Sequence, residues 1–139
     1  MKKIYNSRFI SKMFRVIFLV FLDIVFFNSI FAQTLIPFSG NNSISCGTNT
    51  TLCTHAGCGG TYSNGANGYT VINSASSAII TVSGTYATES CCDFIRIYSG
   101  VGTGGTLLAT YVGSGSISYT GTAGQTLTVS FTSDGSITI

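Results

Sequence analysis

The sequence predicts an all-β fold, an antiparallel β-sandwich, preceded by an N-terminal signal peptide. Three observations carry that expectation. After residue 32 no segment has the period of an amphipathic helix. Short runs rich in Thr, Val, Ile, Tyr and Phe recur between turn signals, and 17 glycines are available to make the turns.

The first element is the leader. Five of the six basic residues, Lys2, Lys3, Arg8, Lys12 and Arg15, precede the apolar run VIFLVFLDIVFFNSIFA, which is broken by Asp23 and Asn28-Ser29 and closes on the small residue Ala32. A basic start, an apolar middle and a small residue at the end are the parts of a secretory signal peptide, assigned to residues 1–32. The run is short of the roughly 18 to 20 apolar residues a membrane span needs, so cleavage is expected rather than anchorage. The location implied is secreted, extracellular or cell-surface. Cleavage after Ala32 would leave 107 of the 139 residues, with Arg96 the one basic side chain against Glu89, Asp93 and Asp134, a net charge of −2. Nucleic acid and, once the leader is gone, anionic membranes are therefore excluded as partners, since both call for clustered Lys and Arg.

Residues 33–45 are polar, contain the only proline, Pro37, and read as a linker. The folded domain is expected over residues 46–139. Its strand candidates are YTVI, SAIITVSGTY, DFIRIYSG, TLLATYV, SISYTG and QTLTVSFTS. The clearest is Thr126 to Thr132, where Leu127, Val129 and Phe131 alternate with hydroxyl residues, one set facing a core and the other facing out. Ile95 and Ile97 likewise fall on the face opposite Phe94, Arg96 and Tyr98.

All five cysteines, Cys46, Cys53, Cys58, Cys91 and Cys92, follow the leader, where disulfides are the expected state. Five is odd, so one is left over within this chain. Cys53 and Cys58 enclose a loop that a local bridge could close, or either could bond to the later pair. A bond between Cys91 and Cys92 is expected least, because neighbouring Cα atoms are about 3.8 Å apart whereas disulfides ordinarily span roughly 4.4 to 6.8 Å, and adjacent strand residues point to opposite faces. Cys53, His55, Cys58 and one of Cys91 or Cys92 have the residue types of a zinc site but irregular spacing.

The three acids carry the most information. Glu89 and Asp93 enclose a short loop entering a strand, and Asp134 lies in the turn SDG leaving another. Loops of a sandwich gather at its ends, so these carboxylates can converge. Acids so gathered repel unless a cation lies between them, and a hard, oxygen-preferring ion such as calcium suits them. One histidine with no acid near it in sequence provides no triad, so no enzyme is expected.

From about Ser83 to Ser136, and less closely back to Cys58, the chain resembles a CUB domain, an extracellular β-sandwich of jelly-roll type. The matching features are the aromatic strand ending in Glu89, the strand DFIRI with its glycine turn, the Leu-Leu strand TLLATY, and LTVSF closed by Ser133-Asp134, with CGGTYSN similar to the family's opening. The resemblance implies a non-catalytic binding or adhesion module in which Glu89, Asp93 and Asp134 hold a structural calcium that braces loops contacting a partner, often through the partner's basic side chain. The partner class is an extracellular protein or polysaccharide. A carbohydrate-binding module with Tyr62, Tyr69 or Tyr98 stacked on sugar, or an accessory domain of a secreted hydrolase, is the alternative. Three features depart from the family pattern. The loop between Glu89 and Asp93 is short; Gly68 and Val112 stand where disulfide mates would be; and a last strand after the Ser-Asp turn is not present. The chain is accordingly expected to be a fragment or a module of a longer multidomain protein.

Overall fold

The computed structural model describes residues 32–45, 47, 49–136 and 138–139; the expected leader up to residue 31, together with Cys46, lies outside the described residues. Among the described residues there are nine strands and no helix: β1 (Ala32–Leu35), β2 (Ser39–Ser45), β3 (Thr50–Cys53), β4 (Asn67–Asn73), β5 (Thr81–Ala87), β6 (Phe94–Ser99), β7 (Thr106–Tyr111), β8 (Ser114–Thr120) and β9 (Leu127–Thr132). One sheet runs β2-β4-β9-β6-β7, while β1 pairs with β3 and β5 with β8. The all-β sandwich expected from sequence is the observed architecture. Its pairings are antiparallel except for β1 with β3 and β2 with β4, which are parallel.

Those two exceptions correct the reading of residues 33–45 as a linker, because β1 and β2 occupy that stretch. Strand pairing is made by backbone groups, so it requires no apolar alternation. The stretch SGNNSIS has a single apolar side chain, Ile44, packed against the core. Asn42 supplies the rest, donating from Nδ2 to the Leu35 carbonyl (2.7 Å) and accepting from Thr70 Oγ1 (2.6 Å).

β9 is the centre of the molecule, flanked by β4 and β6. Leu127, Val129 and Phe131 face a core completed by Ile36, Tyr62, Ala66, Ile72, Ile80 and Ile97. Leu52 of β3, Val82 of β5 and Ile117 and Tyr119 of β8 pack against the same cluster, and Tyr86 meets Tyr111 edge-on at 5.6 Å. The opposite face of β9 is not the open hydroxyl surface its alternation suggests: Thr128 and Ser130 are buried as completely as the apolar residues. Register explains this, since Ser130 lies between Tyr69 and Arg96, and Thr128 between Val71 and Tyr98. The β6–β7 loop also folds over Thr128, whose Oγ1 donates to the Gly100 carbonyl (2.7 Å) and accepts from Gly102 N–H (2.9 Å).

Gly68 is where the core leaves no room. A Cβ there would collide with the Pro37 carbonyl as the chain passes from β1 to β2. Gly68→Ala is therefore expected to destabilise the domain by about 1 to 3 kcal/mol, as overpacking does, measured by urea unfolding. An unchanged midpoint would mean that residues 33–45 do not pack as described.

Candidate metal centre

The site is assembled by register. In the antiparallel pairing of β6 with β9, Phe94 opposes Thr132, so Asp93, just before β6, meets the segment just after β9 that carries Asp134. The β3–β4 loop is tied to the same place: Gly65 N–H donates to the Asp134 carbonyl (2.6 Å), Asn64 Nδ2 to the Gly135 carbonyl (3.0 Å), and Ala66 N–H to Ser133 Oγ (2.9 Å).

Asp93 is fully buried (0% exposed), and its carboxyl is held at both oxygens. Oδ1 accepts from Asp134 N–H (2.9 Å) and Oδ2 from Tyr62 O–H (2.6 Å). The Tyr62 hydroxyl in turn accepts from Glu89 N–H (3.0 Å), so one phenol links both acids of the short loop. Burial, and then its bond to Asp93, raise the Tyr62 phenol above its ordinary pKa of 10.0, keeping it a donor. Thr88 holds the stem of the loop: its Oγ1 donates to the Asp93 carbonyl (3.1 Å) and accepts from Gly113 N–H (3.0 Å). Asp134 Oδ1 accepts from Ser136 N–H (2.8 Å), which orients that carboxyl.

Carboxyl oxygens of Glu89, Asp93 and Asp134 lie within 4.8 Å of one another, so the three side chains could hold a metal ion together. Two oxygens on one calcium, each at about 2.3 to 2.6 Å, are at most about 5 Å apart, which that spacing satisfies. Glu89 Oε2 is buried with no hydrogen-bond partner among the described residues, an orphaned acceptor on one of three neighbouring acids. Arg96, the only basic residue after Arg15, has its guanidinium over the Phe94 ring (4.2 Å) and on Thr132 Oγ1 (3.2 Å). An all-oxygen donor set suits a hard cation.

Desolvation, followed by the charges of Asp134 and Asp93, raises the Glu89 carboxyl above its ordinary value of 4.5. Protonation therefore favours the folded, ion-free state, and that contribution is lost as pH rises from about 4.5 through the raised value. Melting in chelator should show wild type losing stability relative to Glu89→Gln across that window. Parallel curves would mean that Glu89 does not feel the other two acids.

The cysteines depart from expectation. Cys53 is bonded to Cys58, with Cα atoms 5.1 Å apart, so the zinc set is not assembled; His55 Nε2 instead accepts from Ser63 N–H (3.1 Å). Cys91 is bonded to Cys92, the pairing expected least. The expectation treated the pair as strand residues, but Ser90 to Cys92 form a turn, where neighbouring side chains need not oppose. Tyr62 is also corrected: it is buried (3% exposed) and cannot stack on a ligand. Its role, and that of Thr88, carried no signal in the sequence beyond the similarity of CGGTYSN to the family opening.

Fold and site together define a β-sandwich with a three-carboxylate cluster at one end. A comparison of the chain with protein-family models gives no match, and neither does a comparison with curated proteins. No helix among the described residues is long and apolar enough to cross a membrane, and the disulfides are compatible with an oxidising compartment.

Proposed function

We propose that the chain is an exported, non-catalytic CUB-like binding module in which calcium, held by Glu89, Asp93 and Asp134, braces the loops at one end of the sandwich. Those loops then contact an extracellular protein or polysaccharide, within a longer secreted or surface protein. The observation that carries this reading is the convergence of the three acids, one of which, Glu89, has a buried carboxyl oxygen with no partner among the described residues. The ion's role is mechanical: it offsets the repulsion among the carboxyls and fixes the β5–β6 loop against the segment after β9. Calorimetric titration of the purified chain with calcium should give saturable binding and a rise in melting temperature, as ligand linkage requires. Asp134→Ala should weaken both. Absence of heat and of any thermal shift would overturn the calcium reading, and full affinity in Asp134→Ala would overturn the ligand set.

One observation favours a second reading, a carbohydrate-binding module. Tyr69 and Tyr98 share the outer face of the five-stranded sheet, on either side of β9 and beside Arg96. Aromatic faces flanked by hydroxyl and guanidinium donors suit sugar rings. Soluble oligosaccharides titrated against wild type, Tyr69→Ala and Tyr98→Ala separate the two readings, because neither tyrosine belongs to the acidic cluster.

A further inference from the structure

The turn between Glu89 and Asp93 is closed on itself by the Cys91–Cys92 disulfide, and that bond lies against the acidic cluster. Cys91 Sγ is 3.4 Å from Glu89 Oε1. The ligand atoms of Glu89, Cys91 and Cys92 are also mutually within 4.8 Å, so Glu89 belongs to both groups. We propose that the Cys91–Cys92 pair is a redox gate on the cation site, oxidised when the site binds strongly and reduced when it binds weakly. The inference rests on the cation reading above.

Two physical effects act in the same direction. A bond between adjacent residues closes a small ring that includes their planar peptide unit, which removes freedom from the tip of the turn and holds Glu89 toward the other acids. A disulfide sulfur also carries no proton, so it leaves the charge of the Glu89 carboxylate undivided for a cation. Reduction reverses both effects. A dithiol reductant attacks the exposed sulfur of Cys91 through one of its thiolates, breaking the Cys91–Cys92 bond and releasing Cys92 as a thiolate. The second thiol of the reductant then displaces Cys91 from the mixed disulfide. Two electrons and two protons pass to the cysteine pair, and the reductant leaves as its own disulfide. The Cys91 thiol is now a donor within reach of Glu89 Oε1, and a hydrogen bond there competes with the ion for the charge of that carboxylate. The stem of the loop does not follow, because Thr88 bonds it to Gly113 and to the Asp93 carbonyl. Reduction therefore weakens the site through Glu89 and leaves Asp93 and Asp134 in place.

The test is calcium calorimetry on the purified chain before and after a dithiol, with mass spectrometry of the disulfides, repeated on Cys53→Ser/Cys58→Ser and on Cys91→Ser/Cys92→Ser. The dithiol should weaken affinity by about tenfold in wild type and in Cys53→Ser/Cys58→Ser, a coupling of ordinary size. Cys91→Ser/Cys92→Ser should be weak from the start and indifferent to dithiol. Equal affinity in oxidised and reduced wild type overturns the gate while leaving the cation site standing, and so does finding Cys91 and Cys92 bonded elsewhere. Absence of binding in both redox states overturns the cation reading and the gate with it. Should Cys91→Ser/Cys92→Ser fail to fold, the dithiol response of Cys53→Ser/Cys58→Ser still decides.

Discussion

Asp93→Ala is expected to weaken calcium binding by about a hundredfold, equivalent to roughly 2.8 kcal/mol, and to destabilise the ion-free domain as well. Asp93 is the one fully buried acid among the described residues, and its two oxygens hold Tyr62 and the Asp134 backbone. Truncation leaves the Tyr62 hydroxyl and the Asp134 N–H without acceptors, at about 1 to 3 kcal/mol for each buried unsatisfied group. Loss of one charge near Glu89 offsets part of that cost. Asp93→Asn separates the two roles, since it retains an acceptor and the packing but not the charge: most of the stability should return and most of the affinity should not. Urea unfolding in chelator and calorimetry read the two quantities independently. Wild-type affinity in Asp93→Asn would remove Asp93 from the ligand set.

Phe131→Ala should cost about 3 to 5 kcal/mol, the usual range for removing a buried aromatic ring from a core. The ring is 1% exposed. It lies opposite Gly68 on β4 and Ile95 on β6, and Gly68 has no side chain to fill the space it would leave. Domains of this size are stable by about 5 to 15 kcal/mol in total, so a large share of the native population is at stake. Tyr62 packs edge-on against the same ring at 4.9 Å, which links core and site: Phe131→Ala should also weaken calcium binding, by less than Asp93→Ala does. A urea midpoint within error of wild type would mean that the sheet does not close over this residue.

The strands from β4 to β9 were legible because their side chains alternate between glycine-containing turns, and burial of one face leaves that mark. The first three were not. β1, β2 and β3 are held at sheet edges by backbone pairing, and a stretch such as SGNNSIS satisfies those bonds without an apolar pattern. The acids could be singled out because only three follow the leader, and topology then brought them together. The Cys91–Cys92 bond was illegible for a geometric reason: whether neighbouring side chains diverge depends on whether the pair lies in a strand or a turn, and ESCCDF does not say which. Tyr62 was misjudged because an aromatic in a glycine-rich loop reads as exposed, whereas this one turns inward to reach Asp93.

The central position of β9 also constrains the order in which the molecule can come into being. β9 separates β4 from β6, so neither of those strands has its full complement of backbone partners until residues 127–132 are present. The main sheet therefore cannot be completed piece by piece in chain order; it closes only once β9 is available to both neighbours. Long-range closure of this kind is slow. Asp134 follows β9 directly, so the three-carboxylate cluster is completed last, by the same event that closes the sheet.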